Sequence, residues 1–109
     1  MAQATFVHEG LATDYTPTAD VAAGDVVVQE DLVGVAKTPI KANELGALAV
    51  AGVFDFAKTA GDTFTVGTVV YWDDAAKVVT ATAASNKLAG KVVRAAASDD
   101  ATVRVRLTQ

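Results

Sequence analysis

The stretch Thr102–Val103–Arg104–Val105–Arg106–Leu107 alternates polar and apolar residues without a fault. A period of two belongs to a strand with one buried and one solvated face. It sets Val103, Val105 and Leu107 on the inner side and Arg104 and Arg106 on the outer. Such a strand needs a sheet around it, and the chain holds other short runs of similar character. The richest is Leu48 to Thr80, LAVAGVFDFAKTAGDTFTVGTVVYWDDAAKVVT, with three of the four phenylalanines, one of the two tyrosines and the only tryptophan. Within it, apolar stretches at Leu48 to Phe56 and Val66 to Trp72 flank a polar bend at Lys58–Thr59–Ala60–Gly61–Asp62. Lys77 to Thr80 follows a turn at Asp73–Asp74–Ala75–Ala76. β-Branched and aromatic residues in short runs bounded by Gly and Asp predict strands.

Ala4–Thr5–Phe6–Val7 reads as a short strand, followed by a polar turn at His8–Glu9–Gly10. From Leu11 to Asp20 neither period holds, and Pro17 biases Thr16 toward extended geometry. Residues 1–20 are accordingly expected to form an arm, and residues 21–109 a single β domain. Val26–Val27–Val28 and Leu32–Val33–Gly34–Val35–Ala36, separated by Glu30–Asp31, predict an antiparallel hairpin. Pro39 offers no N–H and ends that ladder; Ile40 to Leu45 reads as a loop. Ala81 to Asn86 is a small-residue linker. Leu88 to Ala97 is a further apolar run, broken by Gly90, and Ser98–Asp99–Asp100 makes the last turn. Gly-x-Val-Val recurs at Gly24, Gly67 and Gly90, each reading as a turn that feeds a strand. The unequal spacing of these copies is not that of a solenoid.

With 109 residues the chain can bury roughly 60–70% of its unfolded surface as one domain, without disulfides or a structural metal. Its hydrophobic residues, 51% of the total, are mainly Ala and Val, and aromatics are 6%. A core of small side chains is thin at about 25 cal/mol per Å², which favours a small barrel or sandwich that gains burial by association. The net charge of −4 argues against a nucleic-acid binder, which concentrates Lys and Arg against phosphate. With no cysteine there is neither a disulfide framework nor a thiolate zinc site. The opening residues MAQATFVHEG lack the features of a secretory signal. No run approaches the ~18 apolar residues of a membrane-spanning helix.

Catalytic constellations are equally sparse. The single histidine, His8, lies in the expected arm, and the two serines, Ser85 and Ser98, lie in polar turns. A triad needs a positioned base and a sheltered nucleophile. The pairs Asp73–Asp74 and Asp99–Asp100 are adjacent residues, whose side chains diverge on extended backbone, and acidic residues at turns ordinarily bond the local backbone. Calcium-loop spacing is absent. GDTFTVG, Gly61 to Gly67, lacks the Lys-Ser/Thr end of a phosphate loop, which contradicts a nucleotide-driven ATPase. No cofactor is expected.

Six stretches combine into a resemblance. ALAVAGVFDF, KTAGDTFTVG and VYWDDAAKVVT, together with AAGDVVV, LVGVA and the closing SDDATVRVRL, resemble the small capsid decoration, or cement, proteins of tailed bacteriophages. The similarity runs from about Phe6 to Leu107 and is strongest in GVFD and VYWD. Members have sometimes carried a recombinase-like label, which the missing phosphate loop here argues against. The resemblance implies a β-rich, homotrimeric, non-enzymatic structural protein. It would be made in the host cytoplasm and sit on the outside of the phage head, bound to the major capsid protein and stabilising the shell.

The expected fold is therefore mainly β, a small antiparallel barrel or sandwich with an extended N-terminal arm. Contacts to the shell or between subunits are expected at Ala4, Thr5, Phe6, Val7, His8, Tyr15, Phe54, Trp72, Arg104 and Arg106, with no nucleic acid and no membrane as partner. The alternative is a small β-barrel ligand- or carbohydrate-binding domain or enzyme. That reading requires a concave pocket with convergent polar groups near Trp72 and the acidic turns.

Overall fold

A computed structural model describes residues 3–109. Its strands are β1 (Ala12–Tyr15), β2 (Val26–Gln29), β3 (Leu32–Val35), β4 (Gly46–Ala49), β5 (Gly52–Ala57), β6 (Val69–Asp73), β7 (Val78–Thr80), β8 (Lys87–Arg94) and β9 (Thr102–Leu107). They form two antiparallel sheets, one in the order β1-β4-β3-β2 and the other β5-β9-β8-β6-β7. The architecture is a sandwich. The five-stranded sheet curls until Lys58, just past β5, meets Val79 of β7 in a single parallel bridge, short of a closed barrel.

The predicted hairpin forms as β2 and β3, with Val28 opposite Val33 and Gln29 opposite Leu32. Glu30 turns the corner with φ 56°. The alternation of β9 also holds: Val103, Val105 and Leu107 are buried and Arg104 and Arg106 exposed. Val33 and Val35 of β3 join those three side chains, and Phe56, Phe64, Trp72 and Val92, in the main core between the sheets. Each fully buried Val or Leu there stabilises the fold by about 1.5–3 kcal/mol. The opposite side of β3 is covered too. Ala36, Ile40 and Leu48 make a second, smaller core, flanked by Tyr15, Val21 and Val27. The loop from Ile40 to Leu45 closes over it, Val21 and Ile40 exchanging backbone hydrogen bonds of 2.8 and 2.9 Å.

Four expectations need correction. Ala4 to Val7 form no strand; among the described residues no strand pairs with them. Second, the aperiodic stretch after Leu11 contains β1, paired with β4 from Ala12↔Ala49 to Tyr15↔Gly46. An edge strand is held by backbone hydrogen bonds and does not require alternating side chains, so the arm reading of residues 1–20 fails from Ala12 onward. Positions 1 and 2 lie outside the described residues. Third, the apolar stretch from Leu48 to Phe56 is split: β4 and β5 lie in different sheets, and the chain crosses between them at Val50–Ala51.

Fourth, Gly90 does not break its run. It lies inside β8, opposite Leu107 on β9 and Val70 on β6. A Cβ at this position would collide with the Arg106 carbonyl oxygen; glycine permits the close backbone approach. Gly24 and Gly67 behave as expected. They have φ +90° and +93° in turns just ahead of β2 and β6, where a side chain would be strained.

Candidate functional site

The acidic turns are structural. The Asp73 Oδ1 accepts from the Ala75 and Ala76 amides, both at 3.1 Å. The Asp100 Oδ2 accepts from the Ala97 amide at 2.8 Å. Asp74 ties its turn to the core, accepting from the Trp72 indole Nε1 at 3.0 Å and from the Lys77 ammonium at 2.9 Å. The Lys77 hydrogen bond, then that of Trp72, holds the Asp74 carboxyl below the usual carboxylate range. Lys58, in the polar bend, is buried, and its ammonium donates to the Asp62 carbonyl at 2.7 Å. It closes the bend from inside.

A cleft of about 510 Å³ opens between the sheets, beside β2 and β5, lined among others by Asp25, Val26, Phe54, Asp55, Trp72 and Lys77. This is the concavity that a ligand-binding reading requires. Its aromatic floor is locked into the core: Phe56 stacks at a tilt on Trp72 with centroids 5.9 Å apart, and Phe54 meets Phe56 edge-on at 6.3 Å. Its polar groups are occupied by neighbours within the chain. Asp25 accepts from the Ala22 amide, Lys77 pairs with Asp74, and Asp55 pairs with Arg104.

The expected contact residues fall into three places. Ala4 to His8 are exposed, Phe6 by 77% and Val7 by 82%; the His8 Nδ1 accepts from the Gly10 amide at 2.9 Å. Tyr15 and Phe54 are half-buried, one against the smaller core and the other against the main one. Trp72 is only 4% exposed and packs in the main core, with part of its ring reaching the inter-sheet cleft. Arg104 and Arg106 stand on the outer face of the five-stranded sheet.

Two residues that sequence reasoning passed over join them. Lys91 lies directly opposite Arg106, and Arg94 directly opposite Arg104. Arg94 gets there through a β-bulge between Val92 and Arg94. An unbroken register would have set Val93 opposite Arg104; the extra residue replaces it with a second arginine. Bulges re-aim side chains in this way. All three arginines of the chain thus share one face with Lys91. The counter-charge in these rows is Asp55, opposite Arg104 on β5. Arg104 grips it with Nε–Oδ1 2.9 Å and Nη2–Oδ2 3.3 Å, which lowers the Asp55 pKa and raises that of Arg104.

In these two rows four cations stand against one carboxylate, +3 on a chain of −4, leaving −7 for everything else. Exposed Val53 and Val69 end the Arg106–Lys91 row. A shallow depression of about 260 Å³ lies at one end of the face, bordered by Asp55, Arg94, Asp100 and Arg104.

No curated protein and no solved structure matches the chain. A family model described as phage cement protein matches residues 7–107, from the exposed segment through the last residue of β9. The chain belongs to the phage cement protein family.

Proposed function

We propose that this chain binds the outer surface of the phage major capsid shell as a homotrimer and steadies the shell without catalysing a reaction. In this reading it is made in the host cytoplasm and works on the exterior of the virion. The observation that carries the reading is the family match over residues 7–107. The accessible segment ahead of β1 supports it. Phe6, Val7 and Leu11 are 77%, 82% and 65% exposed, apolar area that association would remove from water. Ordering the segment offsets part of that gain. Symmetry lets individually weak contacts add.

The test is co-sedimentation with expanded shells of the major capsid protein from the phage that encodes this chain, alongside its mass in solution. Trimeric protein pelleting with the shells is the expected result; protein left in the supernatant at every concentration ends the reading. A variant lacking residues 1–10 should fold normally and occupy fewer shell sites.

The inter-sheet cleft favours a second reading, a domain that takes a small ligand between β2 and β5. Its volume lies within the range of ligand sites. Saturable quenching of Trp72 fluorescence by an oligosaccharide panel would support it.

A further inference from the structure

The outer face of the five-stranded sheet is built at a cost to the isolated chain. Arg94 sits opposite Arg104, and Lys91 opposite Arg106. Like charges directly opposite one another destabilise a sheet. The first of these pairs exists only because the bulge brings Arg94 to this face in place of Val93. Asp55 pairs directly with Arg104, and its charge acts on Arg94 only at a distance. Among the described residues, neither Lys91, Arg94 nor Arg106 has a carboxylate partner.

We propose that this face, carried by Lys91, Arg94, Arg104 and Arg106, docks on a carboxylate-bearing surface of the capsid shell. The inference rests on the shell-binding reading above and deepens it by assigning the contact chemistry. Guanidinium groups present planar forks that match carboxylates in two-point pairs, as Arg104 already does with Asp55. The row Val53–Arg106–Lys91–Val69 crosses four strands, about 14 Å at the usual strand spacing. It has apolar side chains at its ends, an arrangement that suits a protein surface. Carboxylates from a partner would turn two repulsive pairs into a neutralised network.

Two other occupants fit poorly. A second copy meeting this face with its own would set cation against cation. Duplex DNA is held through about 6–10 phosphate contacts in strongly salt-sensitive binders. Four cations interrupted by a carboxylate, on a chain of net charge −4, fall short of that.

The test compares the intact chain with the double variant Lys91→Glu/Arg106→Glu, which leaves the Asp55–Arg104 pair in place. Shell binding is measured by co-sedimentation at about 50 mM and 200 mM salt. Wild-type binding should weaken with salt, and the variant should lose about tenfold or more in apparent affinity. Its mass in solution and its tryptophan emission should stay unchanged. Should the charge reversal prevent folding, Lys91→Ala/Arg106→Ala replaces it, with a smaller loss expected. Equal shell occupancy by wild type and variant overturns the proposal while leaving shell binding intact. A change of oligomeric mass overturns it by placing the face between copies. Wild-type retention of duplex DNA at 200 mM salt overturns it in favour of nucleic acid. Wild-type protein that never sediments with shells ends both readings together.

Discussion

The side-chain amide of Gln109 makes with Val33 both hydrogen bonds that a neighbouring strand would make. The Val33 amide donates to the Gln109 Oε1 at 2.7 Å, and the Gln109 Nε2 donates to the Val33 carbonyl. β3 is flanked by β2 along its length but meets β4 in register only at Val35↔Ala49. Val33 is fully buried, where backbone groups without partners are costly. Gln109 supplies them, and in doing so ties the chain beyond β9 to the other sheet.

Removing that clasp should be felt across the sandwich. Gln109→Ala leaves two backbone groups of Val33 in need of partners, at about 1–3 kcal/mol. Urea denaturation should show a lower midpoint with an unchanged slope. An unchanged midpoint would mean that water replaces the amide without loss.

Gly90→Ala should be among the most damaging single changes. The new methyl group meets backbone, the Arg106 carbonyl oxygen, rather than a side chain that can turn away. The β8–β9 pairing must open, and a loss of more than about 3 kcal/mol is expected from a clash of this kind. Loss of cooperative thermal unfolding, or recovery of the protein only as aggregate, would be the sign.

Trp72 reports on the core. As the chain's only tryptophan and almost fully buried, it should emit at short wavelength when native and shift to the red on unfolding. Trp72→Ala should cost about 3–5 kcal/mol. Asp74→Ala removes the indole's acceptor and the partner of Lys77; it should cost about 1 kcal/mol, most of it from the indole hydrogen bond. Native emission from Trp72 matching that of the urea-unfolded chain would contradict its buried position.

Acid should destabilise the fold slightly and in one direction. Asp31, Asp55 and Asp74 are each held below the ordinary carboxylate value, by hydrogen bonds first from Lys87, Arg104 and Lys77 respectively. A depressed folded-state pKa gives stability that is complete above the unfolded value, about 3.9, and lost as pH falls through the lower folded one. The melting temperature should therefore be level above about pH 5 and decline below about pH 4. The decline should be shallow, because all three pairs are exposed to solvent. Asp55→Asn should flatten part of it.

Much of this molecule was legible in local pattern. A period of two in β9 fixes which side chains face inward, because alternate residues of any strand point to opposite faces. The β2–β3 hairpin is set by its two-residue connection, and the bends by Gly and Asp chemistry. The stretch from Gly46 to Thr80 carries the family resemblance that the match over residues 7–107 upholds.

Other features depend on distant pairing. β1 is an edge strand whose ladder with β4 is made of backbone groups, which every residue has, so its side chains announce nothing. Gly90 reads as a break because its reason for being glycine, the Arg106 carbonyl, lies on another strand. The separation of β4 from β5 into different sheets has no composition of its own. The basic face shows the difference most clearly. Arg104 and Arg106 share a side by periodicity alone. Lys91 and Arg94 reach them through the β8–β9 register and a bulge that shifts it by one residue. Register is a relation between two strands, settled when the whole sheet closes over its core.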